Sequence, residues 1–376
     1  MKHSIGSTAK AIALIVGLAS VVSVPTKMQA QFEVGRKAAD APRLKVDPFW
    51  PEALPDRWVF GELGGVCIDA QDHVFVLSRG TLWPKEPPIA IPAPPVIEFD
   101  PEGKVVNSWG DRAKMPKELH GCFIDYQGNI WIAGHFDGIV QKYTHDGRKM
   151  LQIGIKGKFD SADGTDSTAI SGTASRAMNS SHELMNSPTD VTVDPGNGEV
   201  YVSAGYGNRR VVVFDRDGHF VRQWGRQGTV AEVQAGVGGV FLNMVHCVVI
   251  GKDGLVYVCD RQGDRIEVFD KMGGYKRSLL VKGSWGAPPY IQPGGTCDLD
   301  FSPDAQQKFT FVADCTNDQI HILDRVTGET LTNYGRPGQA AGDISSPHAI
   351  AVDSKGNLYI VGSLNDRRLQ KFALVK

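Results

Sequence analysis

Residues 245–269, VHCVVIGKDGLVYVCDRQGDRIEVF, contain three short apolar runs separated by turns. The first run ends at GKDG, the second (VYVCD) alternates around an aromatic, and the third (IEVF) follows a second turn. Runs this short, bounded by Gly and Asp, read as strands. The same unit recurs along the chain. Its second runs are VFVLS, IWIAG, VYVSAG, FTFVAD and LYIVG, and its third runs include VIEFD, VVVFD, IHILD and LQKFA. A fourth run ends in an aromatic or apolar residue followed by Gly: Trp109-Gly110, Ile153-Gly154, Trp224-Gly225, Trp285-Gly286 and Tyr334-Gly335. Four short strands per repeat make the blade of a β-propeller. The last unit, from Pro347, has three strands only. Trp58-Val59-Phe60-Gly61 carries the fourth-strand signature at the other end. An N-terminal strand there would close an all-β, six-bladed ring and remove its open edges.

The rest of the chain fits around that ring. Forty-three glycines and 21 prolines favour turns and short strands over helices. A net charge of −2 offers no electrostatic case for nucleic acid or an anionic membrane. Residues 1–30 read as an export signal, with Lys2, His3 and Lys10 before the apolar stretch 11–24 and cleavage after Ala30. No later stretch is long enough to cross a bilayer. The expectation is a periplasmic or secreted monomer without a membrane span once the signal is removed; an uncleaved anchor is the rival. Residues 31–55 read as an extended lead-in and 56–376 as the propeller. Two insertions, 81–95 and 156–186, are too Pro-rich or too polar to be domains and read as loops. The six cysteines all follow the signal. Cys247 with Cys259, and Cys297 with Cys315, can pair on neighbouring strands, while buried free thiols are the equal alternative. No CxxC occurs, which disfavours a cysteine zinc site.

Three histidines begin first strands in alternate repeats: His120 (LHGCFID), His246 (VHCVVI) and His348 (PHAIAVD). Gly64, Thr189 and Thr296 stand at that point in the repeats between. A closed ring brings the three imidazoles to one axis, as a metal tripod with an open coordination position. One such histidine alone would read as a hydrogen-bonded turn residue; the alternation argues for the tripod. First and second strands are antiparallel, so residues ending second strands surround the same mouth. These are Arg79, His135, Tyr206, Arg261 and Ser363. Arg79 and Tyr206 taken singly would read as packing residues, and Arg261 as half of a structural Asp-Arg pair. His73, His145 and His219 lie beside turns and are expected to be solvated, His182 lies in a loop, and His321 alternates within a third strand.

With those residues in place, the chain resembles NHL-repeat propellers, and among them the peptidyl-α-hydroxyglycine α-amidating lyases, over roughly residues 60–373. The most specific stretches are SRG at 78–80, LHG at 119–121, SPTDVTVDPGNGEVYVSAGYGNRRVVVF at 187–214, residues 245–269 and SPHAIAVDSKGNLYI at 346–360. The resemblance implies zinc on His120, His246 and His348, a catalytic Tyr206, an essential Arg79 and a second arginine at Arg261. It also implies a structural calcium in the channel, on the backbone carbonyls of Val66 and Cys122 and on an aspartate. Ala349 stands at that aspartate position, so one calcium ligand is lost. Gly207 replaces a cysteine of animal members, so their disulfide there is not expected. The copper monooxygenase domain of the bifunctional animal enzymes has no counterpart in this chain.

The implied reaction takes a carbinolamide, R–CO–NH–CH(OH)–COO⁻, to an amide and glyoxylate. Its substrate is a small molecule or peptide with a terminal carboxylate. Zinc makes the hydroxyl more acidic, Tyr206 is the base with its pKa lowered by zinc or Arg79, and Arg79 with Arg261 holds the carboxylate. The donor to the leaving nitrogen is not identified by the sequence. A metal-dependent lactonase or hydrolase on the same ring is one alternative. A non-enzymatic binding module is another, and it leaves the alternating histidines without a purpose.

Overall fold

A computed structural model describes residues 41–83, 86–162, 164, 179–282, 294–364 and 366–375, together with Met1. Six four-stranded antiparallel sheets follow one another along the chain. The first blade comprises Leu63–Ile68, Val74–Ser78, Val96–Phe99 and Val105–Trp109, ordered from the centre outward. Each later blade repeats that order. The six innermost strands are Leu63–Ile68, Leu119–Ile124, Pro188–Val193, Val245–Ile250, Thr296–Phe301 and Pro347–Val352; each packs against the next, and the last against the first. The ring is closed, and the chain is a six-bladed β-propeller. Second strands such as Val74–Ser78 and Val200–Ala204 are buried throughout, because they sit between two neighbours in their own sheet and between two blades. Outer strands such as Val105–Trp109 are half-buried, with Val106 exposed.

The strand that completes the last blade is Leu44–Asp47, not the Trp58 segment expected from the signature. It pairs antiparallel with Leu369–Leu374. Leu44 and Val46 point into the apolar cluster around Phe372 and Ile344. Trp58–Val59 instead pairs in parallel with Ile91–Pro92 of the first insertion, and Trp58 and Phe60 cover the core of blade 1. The lead-in is therefore structured from residue 44 and belongs to the ring: Trp50 is buried against Phe99 and Tyr359. The outer strand of blade 4 is Tyr275–Leu280, while the Trp285-Gly286 signature lies outside the described residues. The proposed signal beyond Met1, and residues 163 and 165–178 of the 156–186 insertion, lie outside them too.

All six cysteines are paired, which replaces the free-thiol alternative. Cys247–Cys259 and Cys297–Cys315 tie neighbouring strands within blades 4 and 5. The third pair, Cys67–Cys122, joins the inner strands of blades 1 and 2 across 55 residues. Among the described residues the four-stranded sheets of blades 1 and 2 are separate, so this pair is a covalent staple across the seam between them. Replacing both cysteines by serine is expected to lower the unfolding free energy by about 2–5 kcal/mol, read from urea unfolding. An unchanged midpoint would mean that the seam needs no staple.

Candidate metal centre at the mouth of the channel

Each pair of inner and second strands slips register near its first residues: between Leu63 and Gly65, Leu119 and Cys122, Pro188 and Asp190, Val245 and Val248, Thr296 and Asp298, and Pro347 and Ala349. Such bulges re-aim a side chain, and His120, His246 and His348 lie inside three of them. The slip also fixes which residues are equivalent. In blade 5 the histidine position falls on Cys297, one residue after the Thr296 expected from the sequence, because Thr296 pairs at the position of Val245.

The three imidazoles meet. Their ring centres are 4.4, 4.7 and 5.0 Å apart, and one nitrogen from each lies within 4.8 Å of the others. All three rings are buried. Each turns its Nδ1 outward to a backbone carbonyl of the next blade: His120 to Thr189 (2.7 Å), His246 to Cys297 (2.6 Å) and His348 to Gly64 (2.8 Å). These acceptors are the residues at the histidine position in the blades that lack histidine. A carbonyl can only accept, so each Nδ1 carries the proton and each Nε2 keeps its lone pair for the axis. That carbonyl-oriented arrangement is how proteins fix imidazole ligands. Burial first, then mutual repulsion and the nearby arginines, holds all three pKa values well below the usual 6.5, so the rings are neutral. Neutral imidazoles with inward lone pairs suit a borderline ion such as zinc. Gly64 permits the close approach of blades 1 and 2, since a Cβ there would lie 1.8 Å from the Leu119 carbonyl.

Residues ending second strands do surround this mouth. The amides of Arg79, His135, Tyr206, Arg261 and Ser363 each reach a carbonyl just before an inner strand. Gly205 lets its turn press on blade 4, because a Cβ there would meet the Val245 carbonyl at 2.0 Å. Buried Arg209 binds the carbonyls of Gly205 and Tyr206 and holds the turn. The Tyr206 hydroxyl is thereby set 3.2 Å from His246 Nε2 and 3.4 Å from His120 Nε2, and it accepts a hydrogen bond from Arg261 Nη1 at 3.3 Å. Burial raises the Tyr206 pKa above its usual value, and the pull of Arg261 and Arg79 does not offset it. Arg79 does pull it down, as expected of a nearby cation, but desolvation outweighs the two arginines.

Two residues missed in the sequence complete the site. Arg79 Nη1 lies 3.1 Å from Glu62 and 3.0 Å from Glu118, and its Nε donates to the Leu119 carbonyl. Nη2 has no partner among the described residues. Glu62 and Glu118 occupy the same repeat offset, in ELGG and ELHG; that duplicated motif was the available signal. His135 stacks between Tyr206 and Phe136, with centroids at 3.7 and 4.1 Å, and its Nδ1 is 3.8 Å from Glu118. Ser363 is buried, and its amide donates to the Ser346 carbonyl.

Behind the tripod lies a cavity of about 170 Å³ that includes Val66, Cys122, Asp190, Asp298 and Asp300 in its wall. Asp190 and Asp298 pair at the register position of Ala349, so the carboxylate missing at 349 is present in two other blades. Each aspartate accepts an amide of the next inner strand: Val248, Ile350 and Val352 respectively. Burial pushes Asp190 up to about 7 and Asp300 up to about 6, and raises Asp298, which also feels Asp190.

Comparison with known proteins gives the same architecture. A family model described as a beta-propeller repeat matches residues 326–363. Human NHL repeat-containing protein 3 is 24% identical over 342 residues, covering 87% of this chain and 83% of that protein. The Drosophila melanogaster peptidyl-alpha-hydroxyglycine alpha-amidating lyase 1 is 24% identical over 299 residues, covering 74% of this chain and 48% of that one. The chain thus spans about half the length of that relative. A solved structure assigned as a gluconolactonase superposes with a TM-score of 0.55 at 12% identity, covering 88% of this chain and 92% of that one. At such identity the superposition speaks for the fold alone.

Proposed function

We propose that this propeller is a metal-dependent carbon–nitrogen lyase that cleaves an N-acyl or peptidyl α-hydroxyglycine to an amide and glyoxylate. The observation that carries the reading is the Tyr206 hydroxyl, held under Arg261 within 3.4 Å of two Nε2 atoms of a carbonyl-oriented His tripod. A bare binding surface has no use for three buried, neutral imidazoles aimed at one point. The metal assigned is zinc, on His120, His246 and His348. Such an ion supplies a Lewis acid, and its positive charge lowers the pKa of a hydroxyl or phenol beside it.

The chain's own residues divide the remaining work. Arg79 Nη2 and Arg261 receive the substrate carboxylate through charge-assisted hydrogen bonds, with Glu62 and Glu118 fixing the Arg79 fork. Tyr206 takes the proton of the carbinol hydroxyl. The C–N bond breaks as the C=O of glyoxylate forms, and the amide nitrogen needs a proton. His135, stacked on Tyr206 and backed by Glu118, is the donor we assign. The calcium implied by resemblance would keep the carbonyls of Val66 and Cys122, with Asp190 or Asp298 in place of the lost aspartate; hard oxygen donors suit it. Export, cleavage after Ala30 and a monomeric state are parts of the same proposal. Among the described residues no helix is long and apolar enough to cross a membrane.

The direct experiment is glyoxylate release from a simple N-acyl-α-hydroxyglycine, with and without a chelator. Release that stops on chelation and returns with zinc is expected. A zinc-loaded protein that releases none would move the reading to another metal-dependent substrate class, such as a lactone. Protein that neither releases glyoxylate nor binds metal would favour the binding module.

A further inference from the structure

On the opposite face of the ring, blade 1 departs from an arrangement that blades 2 and 6 share. The inner strands of blades 1, 2, 3 and 6 are followed there by an aspartate whose first oxygen caps the turn, as Asp69 does for Gln71 and His73. In blade 2 the second oxygen of Asp125 takes the Trp131 indole and Lys142. In blade 6 the second oxygen of Asp353 takes the Tyr359 hydroxyl and Asn357. Register puts Phe75 at the position of Trp131 and Tyr359, so blade 1 offers Asp69 no such donor. The third-strand residue opposite that aromatic is Lys142 in blade 2 and Lys371 in blade 6; in blade 1 it is Glu98. Where blades 2 and 6 have a basic partner, blade 1 has a second carboxylate.

Two imidazoles fill the gap. His73 Nδ1 is 2.6 Å and His145 Nε2, from blade 2, is 3.2 Å from the same oxygen of Glu98. The other oxygen, Oε2, is buried without a hydrogen-bond partner, in a side chain only 2% exposed. An unpaired buried carboxylate oxygen is costly. One ligand atom each from Asp69, Glu98 and His145 lies within 4.8 Å of the others. His145 is 52% exposed, which leaves the cluster open to ions from solvent.

We propose that Asp69, Glu98 and His145 form a second divalent-cation site, separate from the tripod, that clamps blade 1 to blade 2. His73 is a positioning residue: it holds one Glu98 oxygen, as outer-sphere groups hold carboxylate ligands. Mixed nitrogen and oxygen donors select a zinc-like first-row ion over calcium or magnesium.

The test uses the full chain with His246→Ala and His348→Ala, which removes the tripod, and titrates zinc alone by calorimetry at pH 7.5. One zinc per chain is expected to remain, against two in the unaltered protein. Adding His145→Ala or the near-isosteric Glu98→Gln should weaken that binding more than tenfold. His145 is half exposed, so its loss leaves folding intact, and thermal unfolding without metal verifies this. Zinc should also raise the melting temperature of the tripod-less protein, and calcium should not. A tripod-less protein that binds no zinc would overturn the second site while leaving the tripod standing. Zinc binding unchanged by both added substitutions would overturn it as well. A tripod-less protein that keeps all the zinc of the unaltered one would support the second site and count against the first.

Discussion

His246→Ala is expected to abolish metal binding at the channel mouth and, with it, lyase activity. Two neutral imidazoles remain in that variant, and the loss should exceed the ~100-fold that disturbing an outer-sphere partner costs in metal affinity or activity. Three blades set the geometry. Each imidazole is aimed by one carbonyl of the blade that follows, so removing one leaves an open place in the ligand set. His348→Ala should behave alike, because the two are related by the ring's pseudo-threefold order. Metal content by mass spectrometry, corrected for any zinc at Glu98, and glyoxylate release are the two readouts. A metal-free but active His246→Ala protein would sink the tripod.

The same burial sets a pH dependence with a definite sign. The tripod imidazoles have folded pKa values well below 6.5. Between 6.5 and those lower values the unfolded chain binds more protons than the folded one. Their contribution to stability is therefore complete above pH 6.5 and is lost as pH falls through the folded values. Metal binding follows the same logic, since protons compete only where the folded rings titrate. Zinc affinity of the tripod should stay level from pH 8 down past 6.5 and fall only below. A steady fall beginning above 7 would mean that the rings are less buried than described.

Much of this was legible in the sequence, for a physical reason. A propeller places one residue per blade at each radial position, so a repeat offset in the chain is a position in space. The alternation of His120, His246 and His348 was thus already a threefold axis, and Arg79, His135, Tyr206 and Arg261 followed from antiparallel pairing. What the offset could not reveal was the bulge. It shifts the equivalent residue in blade 5 from Thr296 to Cys297, whose carbonyl then serves His246. Nor could an aromatic-Gly signature choose the closing strand. Trp58 and Leu44 both precede the ring, and the choice lies in how Leu44 and Val46 pack beside Phe372. The Cys67–Cys122 pair was hidden because it crosses a seam between blades rather than a hairpin. Glu62 and Glu118 were readable as a duplicated E-L-x-G, but a glutamate before a strand ordinarily signals only solvent.

Tyr206→Phe separates chemistry from architecture. The substitution removes one oxygen and keeps the ring that stacks on His135. Zinc content should stay as in the unaltered protein, and KM should change little, since Arg79 and Arg261 hold the carboxylate. By contrast kcat should fall by about 10²–10⁴-fold, the usual size of a lost general base. The pH profile adds a readout that mere packing would not move. Without added charge, burial holds the Tyr206 phenol above its usual pKa; ionising it depends on the cation beside it. In zinc-loaded protein an ascending limb of kcat with pH is expected, and it should disappear in Tyr206→Phe. Arg261→Ala should move that limb to higher pH, because the guanidinium that donates to the phenol oxygen favours the ionised form. If Tyr206→Phe instead loses its zinc, the hydroxyl helps to hold the metal and the base must be sought elsewhere, with His135 first. If kcat survives within a few-fold, the tyrosine is a wall of the pocket and the carbinol proton leaves by another route.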